Sequence, residues 1–338
     1  ALFNFKQEFK WGWILSLYII LVLIIGELLA LMGVMGIVAD LVQEGVRLAF
    51  NGAIIQRGWI ILFFVAILTF FLWFGRYKAF EKVLTVLVIL MGLSFMVVFI
   101  MVRPDMMDIL SGMVPSIPDT PGALGLIAAI TGTTCSAAVF VMRSTVVAEK
   151  GWGINDLKKE KTDAFVSAFM MLFLSGIIMA VAAGTLHISG MKLDDTVEMI
   201  SLFEPLGGKL AAFVLIIGIT GAGLSTIFPI VLIAPWLLAD YRGTPRNIHS
   251  KSSRVLIIGA MVFAFGTVFL EERPPALMVF SQAFQACILP AVAVPMFILI
   301  NKQKLMGNNK ASAKLNLGLV AVILFSLLTT WFAITEFI

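Results

Sequence analysis

Charge is what this chain has least of. Only 13% of its 338 residues are Asp, Glu, Lys or Arg, and 60% are hydrophobic, whereas a soluble domain is about a quarter charged and about half apolar. With a mean hydropathy of +1.04, the chain has no stretch between its apolar runs long enough for a soluble domain. Cysteine is almost absent too. Cys135 and Cys287 both fall inside apolar runs, which excludes a disulfide framework and a cysteine–zinc site. The only histidines, His187 and His249, lie between the runs, so neither a histidine-rich metal centre nor a buried imidazole base is available. HExxH, a nucleophile elbow and a P-loop are all missing, and with them the usual signs of an enzyme or a resident cofactor. No secretory signal pattern opens the chain. Ala1 stands where an initiator Met is expected and the first apolar run begins almost at once, so the expectation is of a natural N-terminus further upstream.

What is present is a series of apolar segments of about 20 residues, the length that crosses a hydrocarbon core. Nine are read, at 12–37, 58–75, 83–102, 123–148, 163–186, 210–239, 255–270, 277–301 and 315–338, making residues 1–338 one all-α transmembrane domain. The seventh is the shortest. Alternate connections carry very different charge. The N-terminus and the loops 76–82, 149–162, 240–254 and 302–314 hold 17 Lys and Arg, the opposite loops hold 6, and Arg143 lies inside a run. This asymmetry places the N-terminus in the cytoplasm and, with an odd number of spans, the C-terminus outside. It also accounts for the net charge of +4 without a nucleic-acid partner. The expected partner is the lipid bilayer, in a plasma (inner) membrane.

One run is interrupted by small residues, Thr131-Gly132-Thr133-Thr134-Cys135-Ser136-Ala137-Ala138. Lipid cannot satisfy a free backbone group, so an unwound stretch at membrane depth must line protein or a wet cavity. In secondary transporters such breaks hold the substrate. Gly132 loosens the backbone there, and Thr133 and Thr134 offer oxygen ligands. The alternative is a close helix–helix contact, which small residues also permit. Arg143 follows about a turn later. It either gates a pathway and pairs with a buried acid, or snorkels toward the headgroups. Glu27, in mid-run, is either a proton relay or partner of Arg143, or a structural hydrogen-bonding group. Gln282 either gives an amide oxygen to an ion or holds two helices together. Gln285, Pro290 and Pro295 follow on the same run, and the prolines predict a bend. The run Gly218–Thr226 reads as tight packing, the 18 methionines as filler, and Asp163 as a residue at a helix start favoured by the dipole.

Three stretches together resemble the Nramp family of divalent-metal transporters. They are Gly75-Arg76-Tyr77-Lys78-Ala79-Phe80-Glu81-Lys82 with Arg103-Pro104-Asp105 after the next run; Gly132-Thr133-Thr134 through Ser144; and Ser281-Gln282 through Pro290 with Lys304-Leu305-Met306-Gly307. The resemblance implies a LeuT-type inverted repeat of five plus five helices, of which the nine spans are helices three to eleven. The family's first helix, with its Asp-Pro-Gly-Asn metal site, has no counterpart here. Thr133 falls where a backbone carbonyl contributes, Gln282 where a tenth-helix ligand stands, and Glu27 at a third-helix acid. The family's Met-Pro-His is replaced by Ser136, Ala137 and Ala138, and a further histidine by Arg143. Oxygen in place of a thioether suits harder cations, and proton coupling loses a usual group. The resemblance therefore implies a secondary transporter of a divalent cation of the magnesium or manganese class. Thr133, Ser136 and Gln282 are its ligands, with Glu27, Gly132, Thr134, Ala138 and Arg143 along the pathway. The alternatives are a carrier of an organic or anionic solute on the same fold, and a membrane scaffold that transports nothing.

Overall fold

The computed structural model describes residues 1–50, 52–74, 77–187, 196–201, 204–269 and 274–337. Gly75 and Arg76 of the resemblance, and Lys192 and Arg273 of the charge asymmetry, lie outside the described residues. Every regular element among the described residues is helical. A short α1 (Leu2–Glu8) precedes α2 (Gly12–Ala49), α3 (Arg57–Trp73), α4 (Tyr77–Val102) and the surface turn α5 (Met106–Gly112). Two half-length helices follow, α6 (Ala123–Thr134) and α7 (Ala137–Glu149), then α8 (Leu157–Ala182), the single turn α9 (Glu198–Ser201) and α10 (Glu204–Arg242). After α11 (Lys251–Phe265) come a second pair of half-helices, α12 (Pro274–Ala286) and α13 (Leu289–Asn301), the turn α14 (Gln303–Met306) and α15 (Ala313–Phe337).

Eight of the described helical segments are long and apolar enough to cross a membrane, and α3, at 17 residues, is a shorter apolar helix. The segment read from sequence as the shortest span extends over Lys251–Phe269, so the thin place lies at α3 instead. One boundary is corrected. The run drawn from 163 is helical from Leu157, so Asp163 sits in the second turn and does not start the helix. Phe165, Phe169 and Leu172 of α8 and Leu317, Leu324 and Trp331 of α15 are exposed. Apolar surface on that scale belongs against lipid.

The centre is built on α2 and α10, and small residues set how closely others approach. A Cβ on Gly33 or Gly36 would come within 2.6 Å of Met278 Cγ or 2.7 Å of Pro274 Cγ, so α12 lies directly on α2. A Cβ on Gly218 or Gly221 would lie 2.6 Å from Met91 or Leu87 of α4, and one on Gly223 2.6 Å from Val38 of α2. The Gly218–Thr226 run thus packs, as its composition suggests. Leu31, Met35, Ile61, Ile227 and Val231 fill one fully buried core around this crossing. A second core gathers Leu2 and Phe5 of α1 with Ala138, Met142, Leu237 and Leu289. There Asp240 accepts from the Leu2 amide at 2.8 Å, and Ser16 donates to the Leu2 carbonyl at 3.1 Å.

Candidate functional site

Two apolar segments are broken into half-helices, at 135–136 and at 287–288. The first break follows Thr134. Cys135 leaves helical geometry at φ −107° and ψ 44°, while its amide still donates to the Thr131 carbonyl at 2.8 Å. Ser136 then starts α7, its hydroxyl accepting from the Ala138 amide at 3.3 Å, the N-cap role serine suits. Gly132 lies just before the break. A Cβ there would be 1.9 Å from the Gln282 carbonyl oxygen, so α6 touches α12 backbone to backbone. Helix break and close contact, alternatives in the sequence, occur together: the contact fixes where the break falls. The second break lies at 287–288. The Cys287 and Ile288 amides turn back onto the Phe284 and Gln285 carbonyls, at 3.2 and 3.0 Å. Pro290 sits in the first turn of α13, where its missing donor costs nothing.

Between the breaks is a cavity of about 290 Å³, bounded by α2, α6, α7, α10 and α12. Glu27, Thr133, Ser136, Ala138 and Gln282 all line it. Gly132 and Thr134 are not among its lining residues; Gly132 acts from behind, by seating α6 on α12. The last turns of α6 and α12 both reach the cavity, through Thr133 and Gln285. Helix C-termini carry partial negative charge, which adds to the Glu27 carboxyl, while the start of α7, at Ser136 and Ala138, brings the opposite partial charge. No Lys or Arg is among the described residues that line it. The Arg246 guanidinium stacks on one lining residue, Trp236, at 4.3 Å from the ring centroid.

Arg143 is elsewhere. Its Nε donates to Glu160 Oε1 at 2.6 Å and its Nη2 to Asp163 Oδ2 at 2.6 Å, with Lys150 Nζ 3.4 Å from Asp163. This ion-pair cluster joins α7 to α8. The expectation that Glu27 partners Arg143 is therefore corrected. Glu27 instead takes a hydrogen bond from Gln285. Among the methionines read as filler, Met142 lies in one buried cluster and Met278 packs against another, and these two residues also line the cavity. A signal for them was present: Met278, Gln282 and Gln285 recur at i, i+4 and i+7, and Ala138 and Met142 at i and i+4, each set on one helix face.

The chain matches the family described as natural resistance-associated macrophage protein-like (Nramp) over residues 3–335. Among curated proteins it is 26% identical to a divalent metal cation transporter MntH of Nostoc sp. (strain PCC 7120) over 75% of this chain and 61% of that protein. It is 25% identical to the MntH of Bradyrhizobium diazoefficiens over 68% of this chain and 54% of that protein. For the MntH of Erwinia tasmaniensis the identity is 24%, over 68% of this chain and 56% of that protein. The alignments thus cover between a half and two thirds of the relatives' own lengths. With a family match spanning nearly every residue, and a helical membrane bundle broken twice around one cavity, the chain belongs to the Nramp family.

Proposed function

We propose that the protein is a secondary transporter of a divalent metal cation. The observation that carries the reading is the cavity between the two breaks, where Glu27, Thr133, Ser136 and Gln282 converge and two helix C-termini favour positive charge. The relatives are named divalent metal cation transporters, in keeping with that chemistry. The ligand set is the Thr133 carbonyl, the Ser136 hydroxyl and the Gln282 amide oxygen. Ser136 already accepts one hydrogen bond, which leaves one lone pair for an ion. The cation is of the magnesium or manganese class.

The nine spans read from sequence give the orientation, with the N-terminal, basic side cytoplasmic. Transport proceeds by alternating access around the broken helices. The organic- or anionic-solute alternative drew on the replaced Met and His together with Arg143, and Arg143 is committed to Glu160 and Asp163. Uptake of manganese and magnesium into liposomes carrying the full-length natural protein tests the proposal. Saturable uptake of either ion is the expected result. Flux of an organic solute with no divalent uptake, or no flux at all, overturns it.

A further inference from the structure

Gln285 brings a buried, open acceptor to the cavity wall. It is 2% exposed and lines the cavity, yet its Oε1 has no hydrogen-bond partner among the described residues. A buried amide oxygen without a partner pays its full desolvation penalty, and native interiors rarely leave one so. The amide is also oriented. Gln285 donates to Glu27, which commits the nitrogen to the carboxyl and leaves the oxygen as the free end. Room for the side chain is cut into the facing helix: a Cβ on Gly26 would stand 2.8 Å from Gln285 Cγ. Gln282 lies three residues back on the same face of α12, so both amides serve one site.

We infer that Gln285 is a further ligand of the transported cation, its amide oriented by Glu27 and its seat provided by Gly26. The inference rests on the divalent-cation reading and deepens it. A cation satisfies such an acceptor, and the Glu27 carboxyl beside it supplies the balancing charge that water would not need. Glu27 is here a positioning residue, acting through the Gln285 amide. The harder ion depends more on such oxygen ligands than the softer one.

The test is the concentration dependence of magnesium and of manganese uptake in liposomes, using the full-length protein with Gln285→Leu, Gln285→Glu and Gly26→Ala. Gln285→Leu keeps the size and removes the oxygen. It is expected to raise KM for magnesium about tenfold or more and KM for manganese by less, with turnover retained. Gln285→Glu keeps an oxygen at the same place and is expected to hold or lower both KM values. Gly26→Ala displaces the side chain and is expected to shift selectivity in the direction of Gln285→Leu. Unchanged KM values in Gln285→Leu, or an equal loss in Gln285→Glu, overturn the inference. Where Gln285→Leu does not fold, Gln285→Glu decides: KM held supports it, and KM raised tenfold overturns it. If the parent protein moves neither ion, the divalent-cation reading fails, which is distinguishable from a parent that transports and variants that do not differ.

Discussion

Glu27 and Arg143 are both charged residues inside apolar helices, and the structure treats them in opposite ways. Arg143 has two carboxylates at 2.6 Å and its side chain stays 33% exposed. Glu27 is 9% exposed and has a single neutral amide as partner. An intramembrane charge is expensive unless paired. By that measure Arg143 is compensated by its own chain, while Glu27 is left short of positive charge beside an open cavity. The comparison separates two regions that look alike in sequence. One is a closed ion-pair cluster that ties α7 to α8. The other is a cavity wall rich in acceptors, the site proposed for the cation.

The largest difference between them lies in how they are built. The cavity depends on a backbone-to-backbone contact at Gly132, which long side chains cannot accommodate. Gly132→Val forces α6 off α12. Overpacking typically costs about 1–3 kcal/mol and more where rigid backbone must move, so this variant is expected to lose most of its folded yield in detergent. The matching insult to the other region, Arg143→Met, removes partly exposed ion pairs worth about 1 kcal/mol or less. Its melting temperature is expected to stay close to that of the parent. A Gly132→Val protein as stable as Arg143→Met would erase the structural half of the comparison.

The functional half is sharpened by kinetics. Gln282→Leu removes a proposed ligand and is expected to raise KM for divalent uptake about tenfold, a change of about 1.4 kcal/mol in binding. Arg143→Gln, outside the cavity, is expected to leave KM within about twofold. Equal KM shifts in the two variants would show that the ion-pair cluster belongs to the site. Ser136 tests a finer point, because it has two roles. Ser136→Ala loses the N-cap of α7, about 1 kcal/mol, together with an oxygen. Ser136→Thr restores both hydroxyl functions. A melting temperature lowered in Ser136→Ala and recovered by Thr, with KM unchanged in both, would assign Ser136 to capping alone.

The sequence made some of this visible and hid the rest for physical reasons. Broken α6 was legible because Gly132, Thr133, Thr134 and Ser136 replace bulky residues in a run that otherwise has many. The break before α13 was legible only as a bend, since Pro290 marks the start of the new helix and the turn itself, at Cys287 and Ile288, is apolar. Glu27 and Gln282 stood out because polar residues are rare in apolar runs. Their cavity neighbours Met142 and Met278 did not, because a methionine in a membrane helix looks the same whether it faces lipid or a site. The partners of Arg143 were hidden by a boundary. Drawing α8 from residue 163 left Glu160 in a loop and made Asp163 a cap, when both lie on a helix that begins at Leu157. Gln285 was seen, but its role depends on Gly26, in a distant part of the chain.

A third ion pair sharpens the comparison at its weakest end. Glu8, at the close of α1, accepts from Lys302 after α13, pinning the short helix whose Leu2 and Phe5 enter the core beside the cavity. The hydrogen bond from Lys302, opposed in part by burial and aided by the charges of Lys302 and Lys304, holds the Glu8 carboxyl below the usual carboxylate range. A lowered folded-state value means the pair stabilises above the unfolded value of about 4.3. That contribution is lost as pH falls through the folded value, and it does not change between about pH 8 and pH 6. Melting curves of the parent and of Glu8→Gln are therefore expected to differ slightly near neutrality and to converge in acid. Were the pair to act like Glu27, through the cavity, Glu8→Gln would alter divalent KM. As part of the self-compensated class that includes Arg143, it is expected to leave KM unchanged, and curves that stay parallel down to about pH 3.5 would show that the contact adds nothing to stability.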